Sequence, residues 1–242
     1  MVRSISVVIP AYNEEGRLPQ TLERVAAYLN SRDLDFHEIL VVDDGSSDRT
    51  VAIAKAFAAS HPAIRVLENG VNRGKGYSVR SGMVAAVGAW ILFSDADLSA
   101  PIDQLEVLTR AVETGGADVA IGSRALDRSL ISVHQPGFRE HAGRFFNLVM
   151  RLSIGLPIQD TQCGFKLFSR RSVEAIFPLQ RLDRFGFDVE VLLIARLKGF
   201  RILELPVAWS HIEGTRVSTL NGMRAFVELL EIRLNQILGR YR

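Results

Sequence analysis

Short apolar runs alternate along the first half of the chain with longer segments whose apolar positions recur every three or four residues. Ser4-Ile5-Ser6-Val7-Val8-Ile9-Pro10 predicts a buried strand, and the periodicity from about Arg17 to Asn30 a helix. Strands are likewise predicted over Phe36–Val42, Ala63–Leu67, Trp90–Ser94 and Asp118–Ile121. Helices are predicted between them over Asp48–Ser60, opened by the capping signals Ser46 and Ser47, then over Gly76–Val87 and Asp103–Glu113. Strands separated by helices of this length demand right-handed crossovers. The fold class is therefore α/β, a Rossmann-like, mostly parallel central sheet with helices on both faces.

Beyond Ser123 the pattern changes. Asp127 to Gly137 reads as a polar loop, followed by a helix near Arg139–Ile154 and then the run Asp160-Thr161-Gln162-Cys163-Gly164-Phe165-Lys166, to which no element is assigned. A helix over Asp188–Lys198, a strand over Arg201–Pro206 and a last helix over roughly Leu220–Leu238 complete the prediction. No repeat, low-complexity tract or linker divides the chain, so a single domain over residues 1–242 is expected, with residues 1–124 and 125–242 as its two functional halves.

In such sheets a ligand binds beyond the carboxyl ends of the strands. Polar clusters fall there: Pro10, Tyr12, Asn13 and Glu14 after the first strand, and Asp43, Asp44, Gly45 and Ser46 after the second. Asp95 and Asp97 follow the fourth, and Ser123 and Arg124 the fifth. Any one could be an ordinary polar loop; four on one edge point to a site.

Asp95-Ala96-Asp97 is the most telling of these. An extended Asp-x-Asp turns both carboxylates to one side, where they repel unless a proton or cation intervenes. Hard oxygen donors suit Mg²⁺ or Mn²⁺, and a diphosphate could supply the remaining ligands. Asn72-Arg73-Gly74-Lys75-Gly76, just before a predicted helix, resembles a phosphate cradle. The spacing is wrong for a Walker A loop, and Val79 stands where a dinucleotide fingerprint has its third glycine. A plain turn with a helix cap is the alternative reading. Asp43-Asp44 could form the acidic pair of a phosphoacceptor domain, but the layout does not suit one, and an acceptor for a base or ribose is the other reading.

Composition narrows the class further. The 242 residues are 48% hydrophobic and 23% charged, ordinary for a folded domain. A formal net charge of +2 gives no global argument for nucleic acid, and none is expected as a partner. The single cysteine, Cys163, excludes an intrachain disulfide, which fits a reducing compartment, and reads as a small packed residue. The five histidines lack a metal-ligand spacing, with His211 alone near a suspected site loop. The amino terminus lacks a signal-peptide pattern, and no apolar run reaches the ~18 residues of a membrane span. The chain is expected to be soluble or peripheral.

Two helices carry apolar stripes: Phe145, Leu148, Val149 and Leu152 on one, and Met223, Phe226, Val227, Leu230, Leu234 and Ile237 on the other. Core packing is the commoner meaning of such a stripe. Arg144, Arg151, Arg224, Arg233, Arg240 and Arg242 beside them admit a second, contact with an anionic bilayer surface.

Assembled, these motifs resemble the family 2, GT-A-fold glycosyltransferases, over nearly the whole chain. Val8-Ile9-Pro10-Ala11-Tyr12-Asn13-Glu14-Glu15 and Val41-Val42-Asp43-Asp44-Gly45-Ser46-Ser47-Asp48 are similar to the family's nucleotide-binding signatures. The glycine loop and Asp95-Ala96-Asp97 follow in the family's order. Asp160 to Phe168 and Phe187-Asp188-Val189-Glu190 resemble the polyprenyl-phosphate branch, in particular the dolichyl-phosphate glucosyltransferases.

The resemblance implies that Pro10, Tyr12 and Glu14 frame the base and ribose, with Asp44 binding on that side. It implies that Asp95 lies against the sugar phosphate, that Asp97 coordinates Mg²⁺ or Mn²⁺ with Asp95 beside it, and that Lys75 and Arg124 contact the diphosphate or sugar. Arg216 belongs to a basic loop closing over diphosphate and acceptor phosphate, Arg139 is placed with the acceptor, and Asp188 occupies the region where sugar-accepting relatives keep their base. Relatives that transfer mannose often carry Gln where this chain has Ser99.

The implied activity is inverting, metal-dependent transfer of a hexose, with glucose from a UDP-sugar preferred to a GDP-sugar, onto a polyprenyl phosphate. It would take place in the cytoplasm, at the cytoplasmic membrane face if the stripes bind lipid. A hydroxyl acceptor, a nucleotide-sugar-binding module without catalysis, and a nucleotidyltransferase are the alternatives. The last lacks its usual amino-terminal glycine-rich loop here.

Overall fold

The computed structural model describes residues 1–133, 150, 153–212 and 219–242, with side chains of the last segment from 227 onward. Its centre is a seven-stranded sheet built from β1 (Ser4–Ala11), β2 (Phe36–Asp43), β3 (Ile64–Glu68), β4 (Trp90–Ser94), β5 (Val119–Ser123), β7 (Phe165–Ser169) and β8 (Ile202–Pro206). The order is β3-β2-β1-β4-β7-β5-β8. β1 runs parallel to β2 and β4, β2 to β3, and β5 to β8. β7 is antiparallel to both its neighbours, β4 and β5.

The central strands β1, β2, β4 and β5 are largely apolar because helices cover both sheet faces. Along β1 and β2, Val8, Leu40 and Val42 join one core, while Val7, Ile9, Ile39 and Val41 join the other. Helices α1 (Leu18–Asn30) and α4 (Leu105–Gly115) close the second face with Leu18, Leu22, Val25, Leu105 and Leu108. Helices α3 (Lys75–Ala85), α5 (Arg170–Ile176), α6 (Phe187–Leu197) and α7 (Thr219–Ile237) close the first with Val79, Val173, Leu192 and Ile232. Each such side chain, fully buried, stabilises the fold by roughly 1.5–3 kcal/mol.

Several expectations need correction. Ser46 and Ser47 do not cap α2 (Thr50–Ser60): Ser46 Oγ accepts from Asn13 N–H and Ser47 N–H donates to Asn13 Oδ1, while Asp48 Oδ1 accepts from Thr50 N–H at the helix start. The supposed loop from Asp127 contains a short strand, β6 (Ile131–Val133), paired with β9 (Trp209–Ser210). The run around Phe165, left without an element by the sequence, forms β7 over Phe165–Ser169 in the middle of the sheet.

On α7 the described part of the stripe is not core. Leu229 and Ile232 face inward, whereas Val227, Leu230, Leu234 and Ile237 are exposed. Met223, Arg224 and Phe226 lie outside the described side chains. So does the whole of the other stripe, with Arg144, Asn147 and Arg151, and of that helix only Met150 and 153–154 are described.

Candidate active site

The strand ends β1, β2 and β4 meet the start of α3 around a cleft of about 310 Å³. Pro10, near the end of β1, and Tyr12 and Glu14, in the turn after it, line the cleft. Asn13 takes a left-handed backbone, φ 55°, and its side-chain oxygen receives the N–H groups of Ser47 and Asp48, an arrangement that suits asparagine. The first two loops are thereby fastened together. Glu14 accepts both arms of the Arg17 guanidinium, at 2.7 and 2.9 Å.

Asp44 lines the cleft, but its carboxylate already has partners. It accepts from the Arg73 and Gly74 backbone N–H groups at 3.0 and 2.8 Å and from Asn69 Nδ2 at 3.0 Å. A buried carboxylate thus holds the glycine loop in place, beyond the base or ribose contact foreseen for it. Gly74 sits at φ 109°, and a Cβ there would lie 2.3 Å from the Asp183 carbonyl oxygen. Only glycine allows that turn to press against residues 182–184 and bring Lys75 to the first turn of α3.

Asp95 and Asp97 are partly accessible at the end of β4. Leu98 follows with φ 48°, unusual for a leucine, and Ser99 N–H bonds back to Asp97 Oδ1 at 2.9 Å. This strained turn aims both carboxylates off the sheet edge. Lys75 Nζ lies 2.6 Å from Asp95 Oδ1 and 5.2 Å from the centre of the Phe93 ring. Burial pulls the ammonium down, but Asp95, Asp188 and Asp97 outweigh it and hold its pKa above the usual lysine value. Gly164 makes room for Asp95: a Cβ there would fall 2.0 Å from Oδ2.

Behind this wall a second pair is fully buried. Lys166 Nζ donates to Asp188 and to the Cys163 carbonyl, and lies 5.5 Å from the centre of the Phe93 ring. Burial pushes the Asp188 carboxyl above the usual range, with Lys166 and Lys75 pulling it back only in part. Arg124 forks onto Asp160 at 2.7 and 2.8 Å and stands over Trp209 at 5.3 Å. Burial opposes the charge on Asp160, but Arg124 prevails and keeps its carboxyl below the ordinary value. Cys163 is buried, its thiol pushed up to about 12 chiefly by desolvation, so it is no nucleophile at neutral pH. His211 stacks on Trp209, away from the cleft lining.

Of the residues singled out from the sequence, Pro10, Tyr12, Glu14, Asp44, Lys75, Asp95 and Asp97 share the cleft wall. Arg124 and Asp188 do not reach it; each lies in an ion pair behind it. Arg139 and Arg216 lie outside the described residues. Arg17, Arg184 and Phe185 line the cleft without having been singled out. Asp160, Gly164 and Lys166 lie behind the cleft; they stand within the Asp160–Phe168 motif, but the sequence alone gives them no role in the site. Lys166 carried a further signal, a lone lysine inside the apolar run Phe165–Phe168. Among the described residues no group of three or more His, Cys, Asp or Glu gathers to hold a metal.

A glycine loop before a helix, a strand-end Asp-x-Asp and a mostly parallel sheet narrow the choice of family, and a direct comparison decides it. Residues 6–177 match the pattern of Glycosyl transferase family 2. The chain is a family 2 glycosyltransferase. Similarity extends past that pattern. The dolichyl-phosphate beta-glucosyltransferase of Drosophila melanogaster is 36% identical over 251 residues, covering 98% of this glycosyltransferase and 77% of the fly protein. The dolichyl-phosphate beta-glucosyltransferase of Homo sapiens is 35% identical over 253 residues, covering 99% and 78%.

The crystal structure of glucosyl-3-phosphoglycerate synthase from Mycobacterium tuberculosis, in complex with Mn²⁺, UDP-glucose and phosphoglyceric acid, superposes with a TM-score of 0.67. It is 21% identical, and the match covers 96% of this chain and 80% of that one. That likeness speaks to the fold, which is GT-A.

Proposed function

We propose that this glycosyltransferase moves glucose from UDP-glucose to a polyprenyl phosphate, with Mg²⁺ or Mn²⁺ bound at Asp95 and Asp97 and inversion at the anomeric carbon. The observation that carries the reading is the cleft where Asp95, Asp97, Lys75 and the glycine loop converge beneath Pro10 and Tyr12. The names of the relatives supply the acceptor class and the sugar, and the bacterial neighbour was crystallised with Mn²⁺ and UDP-glucose.

The donor set fits a hard divalent ion. Two carboxylates face one opening, and the Lys75 ammonium at 2.6 Å marks where a cation is favoured beside Asp95. Such an ion would neutralise charge building on the departing nucleotide diphosphate. Lys75 adds a positive charge at the start of α3, where backbone N–H groups also point outward. Pro10 and Tyr12 offer an apolar wall to the base, and Asp44 keeps the phosphate loop from drifting.

The state of the carboxylates supports this acceptor class. On the described wall Glu14 holds Arg17, Asp44 holds the loop amides, Asp95 holds Lys75, and one oxygen of Asp97 takes Ser99 N–H. Asp188 is buried with Lys166. A sugar hydroxyl would need a general base to lose its proton, whereas a lipid phosphate arrives already ionised. The same shortage of an available nucleophile supports a single in-line displacement, which inverts.

Purified protein incubated with Mn²⁺, a panel of nucleotide sugars and a short polyprenyl phosphate should yield glucosyl polyprenyl phosphate from UDP-glucose, and chelation should abolish it. Undiminished turnover under chelation, or transfer to hydroxyls alone, would refute the proposal. The exposed row Val227, Leu230, Leu234 and Ile237, with Arg233 beside it, supports attachment to an anionic membrane surface on the cytoplasmic side. No described helix is long and apolar enough to cross a membrane. Flotation with anionic liposomes should carry the protein upward, and Leu230→Glu combined with Leu234→Glu should return it to the soluble fraction.

A further inference from the structure

Three basic side chains line the cleft: Arg17, Lys75 and Arg184. Two are already neutralised, Arg17 by Glu14 and Lys75 by Asp95. Arg184 is exposed at the rim, and no carboxylate among the described residues pairs with it. A guanidinium beside a cleft that must accept several phosphate charges, with its fork uncommitted, is suited to bidentate contact with oxyanions.

The placement of Arg184 is also firm. Its neighbours in the chain are tied down through their backbone or acidic groups, which leaves Arg184 and Phe185 as the side chains presented to the cleft. Arg80 donates to the Gln180 carbonyl and the Asp183 carboxylate at 2.9 and 2.8 Å. Glu190 receives the N–H groups of Arg181 and Leu182, and Glu228 on α7 receives that of Gly186. The Arg184 stem packs on the glycine turn, since a Cβ at Gly74 would lie 3.3 Å from Arg184 Cγ. The charge is therefore carried beside the turn that delivers Lys75, by a segment with little left to order when a ligand arrives.

We propose that Arg184 is a phosphate-binding residue of this cleft. The inference rests on the nucleotide-sugar reading of the site and extends it to a residue outside the sequence motifs. The shared chemistry is a phosphate oxyanion, which either the nucleotide diphosphate or the acceptor phosphate can present.

The test compares Arg184→Gln with wild type by calorimetry with UDP and with uridine, in Mn²⁺, and by the KM for a short polyprenyl phosphate. Loss of one charge-assisted contact should cost about tenfold. A rise of that size in the UDP Kd, with uridine affinity unchanged, supports the proposal and assigns the contact to the diphosphate. An unchanged UDP Kd with a tenfold higher KM for the lipid phosphate supports it and assigns the contact to the acceptor. Both constants within about twofold of wild type, or a loss shared equally by uridine, overturns it. If wild type itself neither binds UDP nor transfers a sugar, the underlying reading fails and the inference falls with it. A wild type that works beside an unimpaired Arg184→Gln sinks only the inference.

Discussion

Lys75 Nζ lies 2.6 Å from Asp95 Oδ1, joining the glycine loop after β3 to the acidic turn after β4 across the carboxyl edge of the sheet. On the proposed function, the pair would offer positive charge to a leaving diphosphate and negative charge to a cation. Lys75→Gln should lower UDP-glucose turnover by about 10²–10³-fold, the usual cost of removing one preorganised donor from developing charge. Initial rates at saturating acceptor measure it; a rate near wild type would show that Lys75 only balances Asp95.

Gly164 sets the position of Asp95 from behind. Because a Cβ at Gly164 would overlap Asp95 Oδ2 at 2.0 Å, Gly164→Ala must move the carboxylate or the chain carrying it. The expected variant keeps its circular dichroism but binds Mn²⁺ weakly in the presence of UDP, read by electron paramagnetic resonance. Unaltered Mn²⁺ affinity would mean that Asp95 is not held where the metal reading requires it.

The Lys166–Asp188 pair is buried beneath the site. Lys166→Met removes one partner and strands a carboxylate, a change that typically costs about 3–5 kcal/mol. Urea denaturation should show that loss. The double variant Lys166→Met with Asp188→Leu should recover much of it, because no charge is then left buried without a partner. A single variant as stable as wild type would show that Asp188 is neutral in the folded protein.

Asp160 gives a pH dependence of definite sign. Desolvation works against its charge, but Arg124 overrides it, so its folded pKa lies below the ordinary 3.8. The unfolded chain therefore binds the proton more readily, and stability rises with pH across the acid window. The contribution is present in full above the ordinary carboxylate range and disappears as pH falls through the folded value. Urea midpoints should fall as the pH is lowered from about 6 to 3, and the fall should be shallower in Asp160→Asn. Equal slopes would remove Asp160 from the account.

Much of the architecture could be read directly from local pattern. β1 to β5, α1 to α4, α6 and β8 lie within a few residues of where apolar runs and helical periodicity predict them. Doubly covered parallel strands are largely apolar, and α1 and α4 carry clear stripes. Asp95, Asp97, Lys75 and the Pro10–Glu14 turn were legible because strand-end loops of this fold converge by topology alone. Their chemistry is local in sequence.

What the chain order could not supply is which distant groups oppose one another. β7 enters the sheet antiparallel between β4 and β5, and nothing in Phe165–Ser169 announces its direction or its neighbours. That insertion brings Lys166 under Phe93 and against Asp188. It also lets Gly164 yield its space to Asp95. Likewise, only the packed molecule occupies Arg124 with Asp160 and Asp44 with the loop amides, and turns the outer row of α7 to the surface. Periodicity records whether a position tends to be buried. Which partner meets it there depends on pairings between residues far apart in the chain, and these are settled only when the whole sheet closes.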